Sequence, residues 1–574
     1  MILDFAEREM FMKLKQKMAI LILVSVLIGS LNVASQDSSD TETLALLRPA
    51  LEGIQSEKLL THIKMLASDE FEGRAPGTVG ETKTVEYLVK QFKQSGLKPG
   101  NPDGTYVQEV SMVGFLTRPS IELSVKGANI PINYPDDFVH ETPRLLPQVS
   151  VKNFDVVFAG FGIVAPEYGW DDYKEINVRN KLVVVLSGEP SIADKNDSSK
   201  SDKTMFKGDL RTYYGTREFK YEIARQKGAA AILVITDPEK QTTFSLFQTF
   251  ARMEGLALKP KSSAKPSLAL TGLVTINAVR RIFTAGGKNF DEMQKAANGK
   301  NFKAVSANAA ANLTIKNELR EVKSRNVVAL SEGSDPRLKN EYVIYSAHWD
   351  HLGRDENLKG DRIYNGAIDN AAGTAQLLEI AAGFARLGRK PKRSILFIAT
   401  TAEEKGYLGS RHYAQNPLYP LFKSIANINL DACNVWGKTK DLASTGYGNS
   451  TLDEILEKAA IMQGRVFMKG SLDNGGLYFG SDQVEFAKAG IPAVFPWSGF
   501  EYIDKPSDFG GKKWGKYGEK DYHQVTDEVE ADWDLSGGAE DAKWLMIAGY
   551  LTAQSQERPK WSNDSEFRNR RQLK

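Results

Sequence analysis

The sequence is poor in the two residue types that most often bind transition metals. It contains a single cysteine, Cys433, among 574 residues, and only six histidines. One cysteine rules out an intrachain disulfide and every cysteine-rich zinc motif. Any transition-metal site must therefore combine carboxylates with one or more of these imidazoles. The histidines are His62, His140, His348, His351, His412 and His523.

The chain also lacks a dominant charge. It has 74 basic and 72 acidic residues, which gives a net charge of +2, so we expect no nucleic-acid partner. Apolar residues make up 41% and charged residues 25%, the profile of a globular protein. Because single cores stop growing at about 250–300 residues, the length predicts two or three domains.

A secretory signal is predicted at residues 1–35. Lysines precede the apolar run 18–28, and small residues follow at 33–35, which is the order typical of a cleaved signal. Met12 is an alternative start, and an uncleaved anchor is the alternative interpretation of the run. We expect export to the periplasm or the extracellular space, with no membrane span after cleavage, because the run is shorter than the ~20 residues that span a bilayer. Residues 36–43 are polar and are expected to form no regular structure.

Alternating apolar strands and amphipathic helices predict an α/β fold with a mostly parallel mixed sheet flanked by helices. Strands 326–330 and 342–346 are expected to lie side by side. A change in composition marks an inserted β-rich domain, for which the alternative is a continuation of the same sheet. The predicted parts are the N-terminal part of the core domain at 44–130, the insert at 140–310, the rest of the core domain at 320–555, and a frayed polar tail at 556–574.

Reactive side chains follow several apolar segments between 342 and 431. His348 ends one predicted strand, the pair Glu403 and Glu404 follows another, and Asp431 ends a third. Because ligands collect at the carboxyl ends of parallel strands, we expect these side chains to converge. Each feature alone also fits an ordinary loop, helix cap or solvated acidic turn, so the hypothesis depends on the whole set.

The set predicts a site for two zinc ions. Their four positive charges balance three carboxylates and one hydroxide, and histidine with carboxylate is a usual zinc ligand set. Glu403 is the predicted general base, and the Asp350 carboxylate is expected to orient His348. Tyr522 is a candidate oxyanion donor, with a packed aromatic ring as the alternative. The predicted ligands are His348, Asp369, Glu404, Asp431 and His523.

Residues 326–550 resemble the M28 family of zinc peptidases. The motifs that carry the resemblance are S-A-H-W-D-H-L-G at 346–353, N-G-A-I-D-N-A-A-G-T-A at 365–375, A-T-T-A-E-E-K-G-Y-L-G-S at 399–410, N-I-N-L-D at 427–431 and Y-H-Q-V-T-D-E at 522–528. The resemblance implies the same five ligands, with Asp369 as the bridge between two metals and Glu403 as the general base. Gln483 replaces a histidine of many relatives, a departure that bears on substrate contacts.

The insert resembles a protease-associated (PA) domain. The motif that carries this resemblance is G-F-G-I-V-A-P-E-Y-G-W-D-D-Y at 160–173. The two resemblances imply an exported dinuclear zinc exopeptidase that acts on peptides through a metal-bound hydroxide. We expect an aminopeptidase. The alternatives are a carboxypeptidase, a glutaminyl-cyclase-like enzyme with one metal, and a receptor-like binding protein without activity. The sequence predicts no particular oligomeric state.

Overall fold

The computed structural model describes residues 38–236, 241–260, 268–470, 472, 476–568 and 570. The predicted signal at 1–35 lies outside these residues. The expectation that 36–43 lack regular structure is wrong from Ser38 onward, because helix α1 spans Ser38–Glu52 and Asp40 lies in its first turn, where an acid is favourable. Among the described residues, no helix is both long enough and apolar enough to cross a membrane.

Helices and strands alternate along most of the chain. The helices that follow α1 are α2 Ser56–Leu66, α3 Val79–Gln94, α4 Arg217–Gln226, α5 Gln241–Phe250, α6 Ile276–Ala285, α7 Phe290–Ala296, α8 Gly373–Arg386, α9 Leu408–Gln415, α10 Leu452–Met462, α11 Gln483–Lys488, α12 Phe509–Lys520 and α13 Ser536–Gln554. The strands are β1 Lys98–Pro99, β2 Val107–Val125, β3 Ala128–Ile130, β4 Phe138–Pro143, β5 Gln148–Phe158, β6 Val164–Ala165, β7 Trp170–Asp171, β8 Leu182–Leu186, β9 Ala231–Thr236, β10 Gly255–Leu258, β11 Leu270–Thr275, β12 Val305–Ser331, β13 Tyr342–His348, β14 Gly353–Arg354, β15 Ile363–Tyr364, β16 Ser394–Thr400, β17 Ser424–Asn429, β18 Asp441–Thr445, β19 Val466–Phe467 and β20 Ala493–Ser498.

The core sheet has the order β19-β18-β20-β17-β13-β16-β12. Strands β16, β13, β17 and β20 are parallel, and every residue of β13 and β16 is buried, as expected for a sheet covered on both faces. The predicted α/β class is therefore observed. The predicted adjacency of 326–330 and 342–346 is wrong, because the chain crosses over through α8 and returns as β16 between β12 and β13.

Two long strands extend beyond the core sheet. Strand β2 pairs with β12 from Val107 to Ser124, and the first half of β12 also pairs with β5. Strands β5, β8, β9 and β11 are parallel to one another, and β4 is antiparallel at their edge. Hydrogen bonding therefore continues from the core sheet into the strands of the insert. The domain boundaries at 130–140 and 310–320, and the PA assignment, stay predictions.

The polar tail is folded over the part that is described. Phe567 has no exposed surface, and its ring lies 5.7 Å from that of Tyr213 and 5.3 Å from that of Trp561. The expectation of a frayed tail is therefore wrong for 556–568. The few aromatic side chains in this polar segment find apolar partners, and burying such rings stabilises the packed state.

Candidate metal centre

The carboxyl edge of the parallel strands brings the predicted site residues together. Strand β13 ends at His348, while Glu403 and Asp431 lie just beyond the ends of β16 and β17. The bridging candidate Asp369 lies in the segment before α8, and His523 follows α12. Side chains from five separate segments thus meet at one edge of the sheet.

The ligand candidates form two groups that share one carboxylate. His348 Nε2 lies 3.2 Å from Asp369 Oδ1 and 3.3 Å from Asp431 Oδ1. His523 Nε2 lies 3.2 Å from Asp369 Oδ2 and 3.1 Å from Glu404 Oε2. Asp369 therefore offers one oxygen to each histidine. This is the arrangement predicted for a bridging carboxylate.

The spacing within each group fits a zinc ion. Ligand atoms at about 2.0–2.1 Å from a tetrahedral zinc are separated from one another by roughly 3.3 Å. The four distances from His348 and His523 to their carboxylates, 3.1–3.3 Å, are close to that value. Histidine with carboxylate is also the chemistry that zinc accepts. The residues present would hold two such ions, one in each group.

The charges of the centre need compensation. Burial raises the pKa of Glu403 well above its usual value, and the neighbouring carboxylates of Asp431 and Glu404 raise it further. Burial lowers the pKa of His523, but Glu404 and Asp369 outweigh burial and raise it to about 10. The raised pKa of His523 reflects the excess of carboxylates around it. Metal ions would balance these carboxylates and displace the imidazole protons.

Glu403 lies beside both groups and, with His348 and Glu404, forms a further set that could bind a metal ion. Its carboxylate is within 4.8 Å of ligand atoms of His348 and Glu404, and its side chain is buried. Its backbone N–H donates to Asp350 Oδ1 at 3.1 Å, which fixes the start of the turn after β16. This position leaves the Glu403 carboxylate facing the centre, as the general-base prediction requires.

Asp350 contacts His348 differently from the prediction. His348 Nδ1 lies 3.1 Å from the backbone carbonyl of Asp350 and 3.8 Å from its carboxylate. The hydrogen bond that orients the ring is therefore made by the Asp350 main chain, while the carboxylate accepts from Glu403. The spacing of the two residues predicts a contact but cannot distinguish the two acceptors.

A model of Peptidase family M28 matches residues 326–546. This segment belongs to Peptidase family M28. It contains all five ligand candidates and Glu403, so the motif resemblance is confirmed over the M28 segment.

Relatives of the chain include proteins with two kinds of names. Aminopeptidase YwaD of Bacillus subtilis is 31% identical over 180 residues, which are 30% of this chain and 36% of YwaD. The probable glutamate carboxypeptidase AMP1 of Arabidopsis thaliana is 31% identical over 150 residues, which are 25% of this chain and 19% of AMP1. The chain thus matches well under two thirds of either relative. The solved aminopeptidase from Aneurinibacillus sp. strain AM-1 aligns over 88% of this chain and 96% of its own, with 18% identity and a TM-score of 0.46.

His351 is a residue of the M28 segment that the predicted site does not include. Its Nδ1 lies 2.7 Å from Glu404 Oε1, while the other oxygen of Glu404 faces His523. His351 is fully buried and therefore fixes the orientation of a ligand candidate. The motif H-W-D-H shows this histidine, but its spacing from Glu404 gives no signal of the contact.

Arg74, from the glycine-rich segment before α3, lies buried beneath the loop that carries Asp369. Among the described residues, its guanidinium donates to backbone oxygens only. The acceptors are the carbonyls of Leu66 (2.7 Å), Trp349 (2.9 Å), Asn365 (2.6 Å) and Gly366 (2.9 Å). Arg74 thus joins the N-terminal segment to the loop that follows His348 and to the loop that carries Asp369. Burial lowers its pKa to about 10, against the opposing effect of the acids around it.

Asp527 holds the same loop from the other side. Its carboxylate accepts hydrogen bonds from the backbone N–H of Ile368 at 3.0 Å and of Asp369 at 3.1 Å, and from the Tyr517 hydroxyl at 3.2 Å. Asn370 adds a further contact, since its Nδ2 donates to the Leu430 carbonyl at 2.9 Å. The bridging candidate therefore sits in a backbone segment that is fixed at both ends.

Two further predicted positions lie outside the ligand groups. The Tyr522 ring stacks on that of His523 at 3.9 Å and is 45% exposed, so it packs on a ligand, while its oxyanion role stays a prediction. Gln483 is fully buried and accepts from Asn429 Nδ2 at 2.8 Å. Gln483 is not among the described residues that line the cavity described below, and its effect on substrate contacts stays a prediction.

The metal centre opens into a cavity of about 1130 Å³. The M28 segment contributes Tyr407, Trp497 and Trp514 to the wall, and the predicted insert contributes Arg217 and Phe250. The Phe250 ring lies 6.1 Å from that of His523, so helix α5 of the insert reaches the centre. A partly apolar cavity that ends at convergent polar groups is the usual form of a small-molecule or peptide site.

Proposed function

We propose that the chain is an exported, dinuclear zinc exopeptidase that removes N-terminal residues from peptides. The observation that carries the proposal is the Asp369 carboxylate, which has one oxygen at 3.2 Å from His348 and the other at 3.2 Å from His523. A single metal would leave one of these two histidines without a role. Glu403 beside the pair supplies the acid–base group that hydrolysis needs.

When bound, a pair of divalent ions would acidify a water molecule and polarise the peptide carbonyl. Glu403 would accept a proton from the attacking water and return it to the leaving amine as the C–N bond breaks. His351 and Asp527 hold Glu404 and the Asp369 loop in place throughout, which keeps the reacting groups oriented. Tyr522 is the candidate hydrogen-bond donor to the developing oxyanion.

The aminopeptidase assignment draws support from YwaD, the longer of the two curated matches described above. AMP1, named a probable glutamate carboxypeptidase, represents the alternative. A panel of free and N-blocked peptides, analysed by mass spectrometry, separates the two. An aminopeptidase shortens only the free peptides from the N-terminus, and shortening of blocked peptides from the C-terminus would favour the alternative.

Export is proposed on the basic, apolar and small-residue order of residues 1–35. Expression of the full chain in a secreting host should yield a product that begins near Gln36. N-terminal sequencing checks this, and an exported product that retains residues 1–35 would contradict cleavage.

The catalytic proposal is tested with Glu403→Gln and a chelator. Removing metal with phenanthroline should abolish peptide hydrolysis, and zinc should restore it. Glu403→Gln should keep the wild-type zinc content and lose about 10²–10⁴ in kcat, because only the base is removed. Glu86→Gln, on the exposed face of α3, is the matched control and should keep full activity. A Glu403→Gln variant at the wild-type rate would rule out the base role.

A further inference from the structure

Four lysine and arginine side chains line the cavity in the described part of the chain, and three of them are paired. Arg217 Nε lies 2.9 Å from Glu141, Lys259 Nζ lies 2.5 Å from Glu321, and Arg411 lies 3.1 Å from Glu485. These cations are neutralised by the protein itself. Lys405 is the fourth, and it is different.

Lys405 is half-buried and lines the cavity next to the metal centre. No residue within the described ranges makes a hydrogen bond or ion pair with it. The neighbouring carboxylate of Glu404 is occupied by His351 and His523, and the nearby Glu254 is held by both nitrogens of a bidentate contact with Arg320. A partly desolvated ammonium without a hydrogen-bond acceptor is unfavourable, so an anion that binds beside Lys405 would be stabilised.

The position of Lys405 relates it to one end of the substrate. Lys405 follows the general base by two residues, in a tight turn where the N–H groups of Gly406 and Tyr407 donate to the Glu403 carbonyl at 2.8 and 2.9 Å. On the proposed function, Glu403 returns its proton to the leaving amine, so the nitrogen of the leaving residue lies against this turn.

The distances within a leaving amino acid match the reach of this lysine. Its α-carboxylate carbon lies roughly 2.5 Å from its nitrogen, two bonds away. The four-carbon stem of Lys405 places its ammonium up to roughly 6 Å from its own Cα, and that Cα is at most roughly 7 Å from that of Glu403. An α-carboxylate on the leaving residue is therefore within range of the Lys405 ammonium.

We propose that Lys405 binds a free carboxylate on the residue that leaves with the amine. The favoured substrates are then dipeptides, whose leaving residue carries a free α-carboxylate, over longer or amidated peptides. An acidic side chain on the leaving residue offers the same chemistry from a second source. Lys405 is a specificity residue in this proposal, which rests on the proposed function of the metal centre.

The test compares four substrates on the zinc-loaded protein. They are alanyl-leucine, alanyl-leucinamide, alanyl-aspartamide with a free side-chain carboxylate, and alanine p-nitroanilide. The free dipeptide should show a kcat/KM at least tenfold above its amide, with the difference mainly in KM. Lys405→Met should remove that ratio and leave the amide and the anilide unchanged, and Lys405→Arg should restore part of it. Lys259→Met, at the paired lysine of the same wall, should keep the wild-type ratio.

The other outcomes are informative as well. A tenfold advantage of the aspartamide over the leucinamide, lost in Lys405→Met, would extend the proposal to side-chain carboxylates. If the wild-type protein turns over the anilide well but cleaves the dipeptide and its amide with equal kcat/KM, the proposal is overturned. Equal losses for all substrates in Lys405→Met would also overturn it, because they would show that Lys405 acts on the metal centre. If no substrate is cleaved, the proposed function fails, and calorimetric titration with N-acetyl-leucine and its amide still decides the role of Lys405. Tighter binding of the acid in wild type than in Lys405→Met supports that role, and equal binding in both rejects it.

Discussion

Replacing Asp527 by asparagine should loosen the loop that carries the bridging candidate. In the native protein, one carboxylate oxygen accepts from Ile368 N–H at 3.0 Å and the other from Asp369 N–H at 3.1 Å. Asparagine keeps one acceptor oxygen but replaces the other by an amide NH₂. One of the two backbone donors then faces a second donor in a buried site, where Asp527 is only 2% exposed.

The expected cost follows from that lost contact. A buried donor without an acceptor costs about 1–3 kcal/mol, and a hydrogen bond to a charged acceptor lies in the upper part of that range. We therefore expect the free energy of unfolding to fall by ~2–3 kcal/mol. Burial raises the pKa of Asp527 to about 6, so a measurement at pH 8 compares asparagine with the ionised carboxylate.

Urea unfolding of the metal-free protein measures this change directly. Tyr517→Phe is the matched control, because it removes the 3.2 Å bond from the Tyr517 hydroxyl to Asp527 but leaves both backbone contacts intact. The control should lose about 1–2 kcal/mol, less than the variant, because it leaves no backbone donor without an acceptor. After dialysis against a zinc chelator, the Asp527→Asn variant should also retain less zinc than wild type. Equal stability and equal zinc retention in variant and wild type would refute the clamp on the Asp369 loop.

Two further substitutions test the groups that the predicted site does not include. Arg74→Met removes four hydrogen bonds from a buried guanidinium and should lower the free energy of unfolding by ~3–5 kcal/mol. Arg118→Met is the control: it breaks an exposed ion pair and should change the free energy of unfolding by less than ~1 kcal/mol. Similar values for both variants would count against the role of Arg74. His351→Phe keeps the ring volume but loses the 2.7 Å contact with Glu404, so zinc affinity in a chelator competition should fall about 10–100-fold. His412→Phe should leave that affinity unchanged, and an unchanged value in His351→Phe would show that Glu404 needs no such support.

The strand-end residues of the site are those that sequence patterns predict well. His348 and Asp431 each follow a run of apolar residues, and the structure places both at the edge of the parallel sheet. This signal lies within a few neighbouring residues: a charged side chain directly after a buried strand indicates either a functional site or the protein surface. The same locality explains the wrong strand order, since 326–330 and 342–346 are near in sequence while β16 separates them in space.

The supporting contacts could not be predicted in the same way. Arg74 lies far from the M28 motifs in sequence and binds backbone carbonyls, which carry no side-chain signature. Asp527 contacts backbone N–H groups of the Asp369 loop, and its own motif indicates only a polar turn. Even for residues close in sequence the prediction is incomplete. The spacing of Asp350 from His348 predicts a contact, but not that the backbone carbonyl of Asp350 makes it. Main-chain partners of this kind depend on the folded path of both segments.

Anomalous diffraction at the zinc edge, from crystals grown with zinc, tests the two-metal centre most directly. The geometry predicts two peaks, one bounded by His348, Asp369 and Asp431 and the other by His523, Asp369 and Glu404. A single peak, or two peaks that do not share Asp369, would contradict the account.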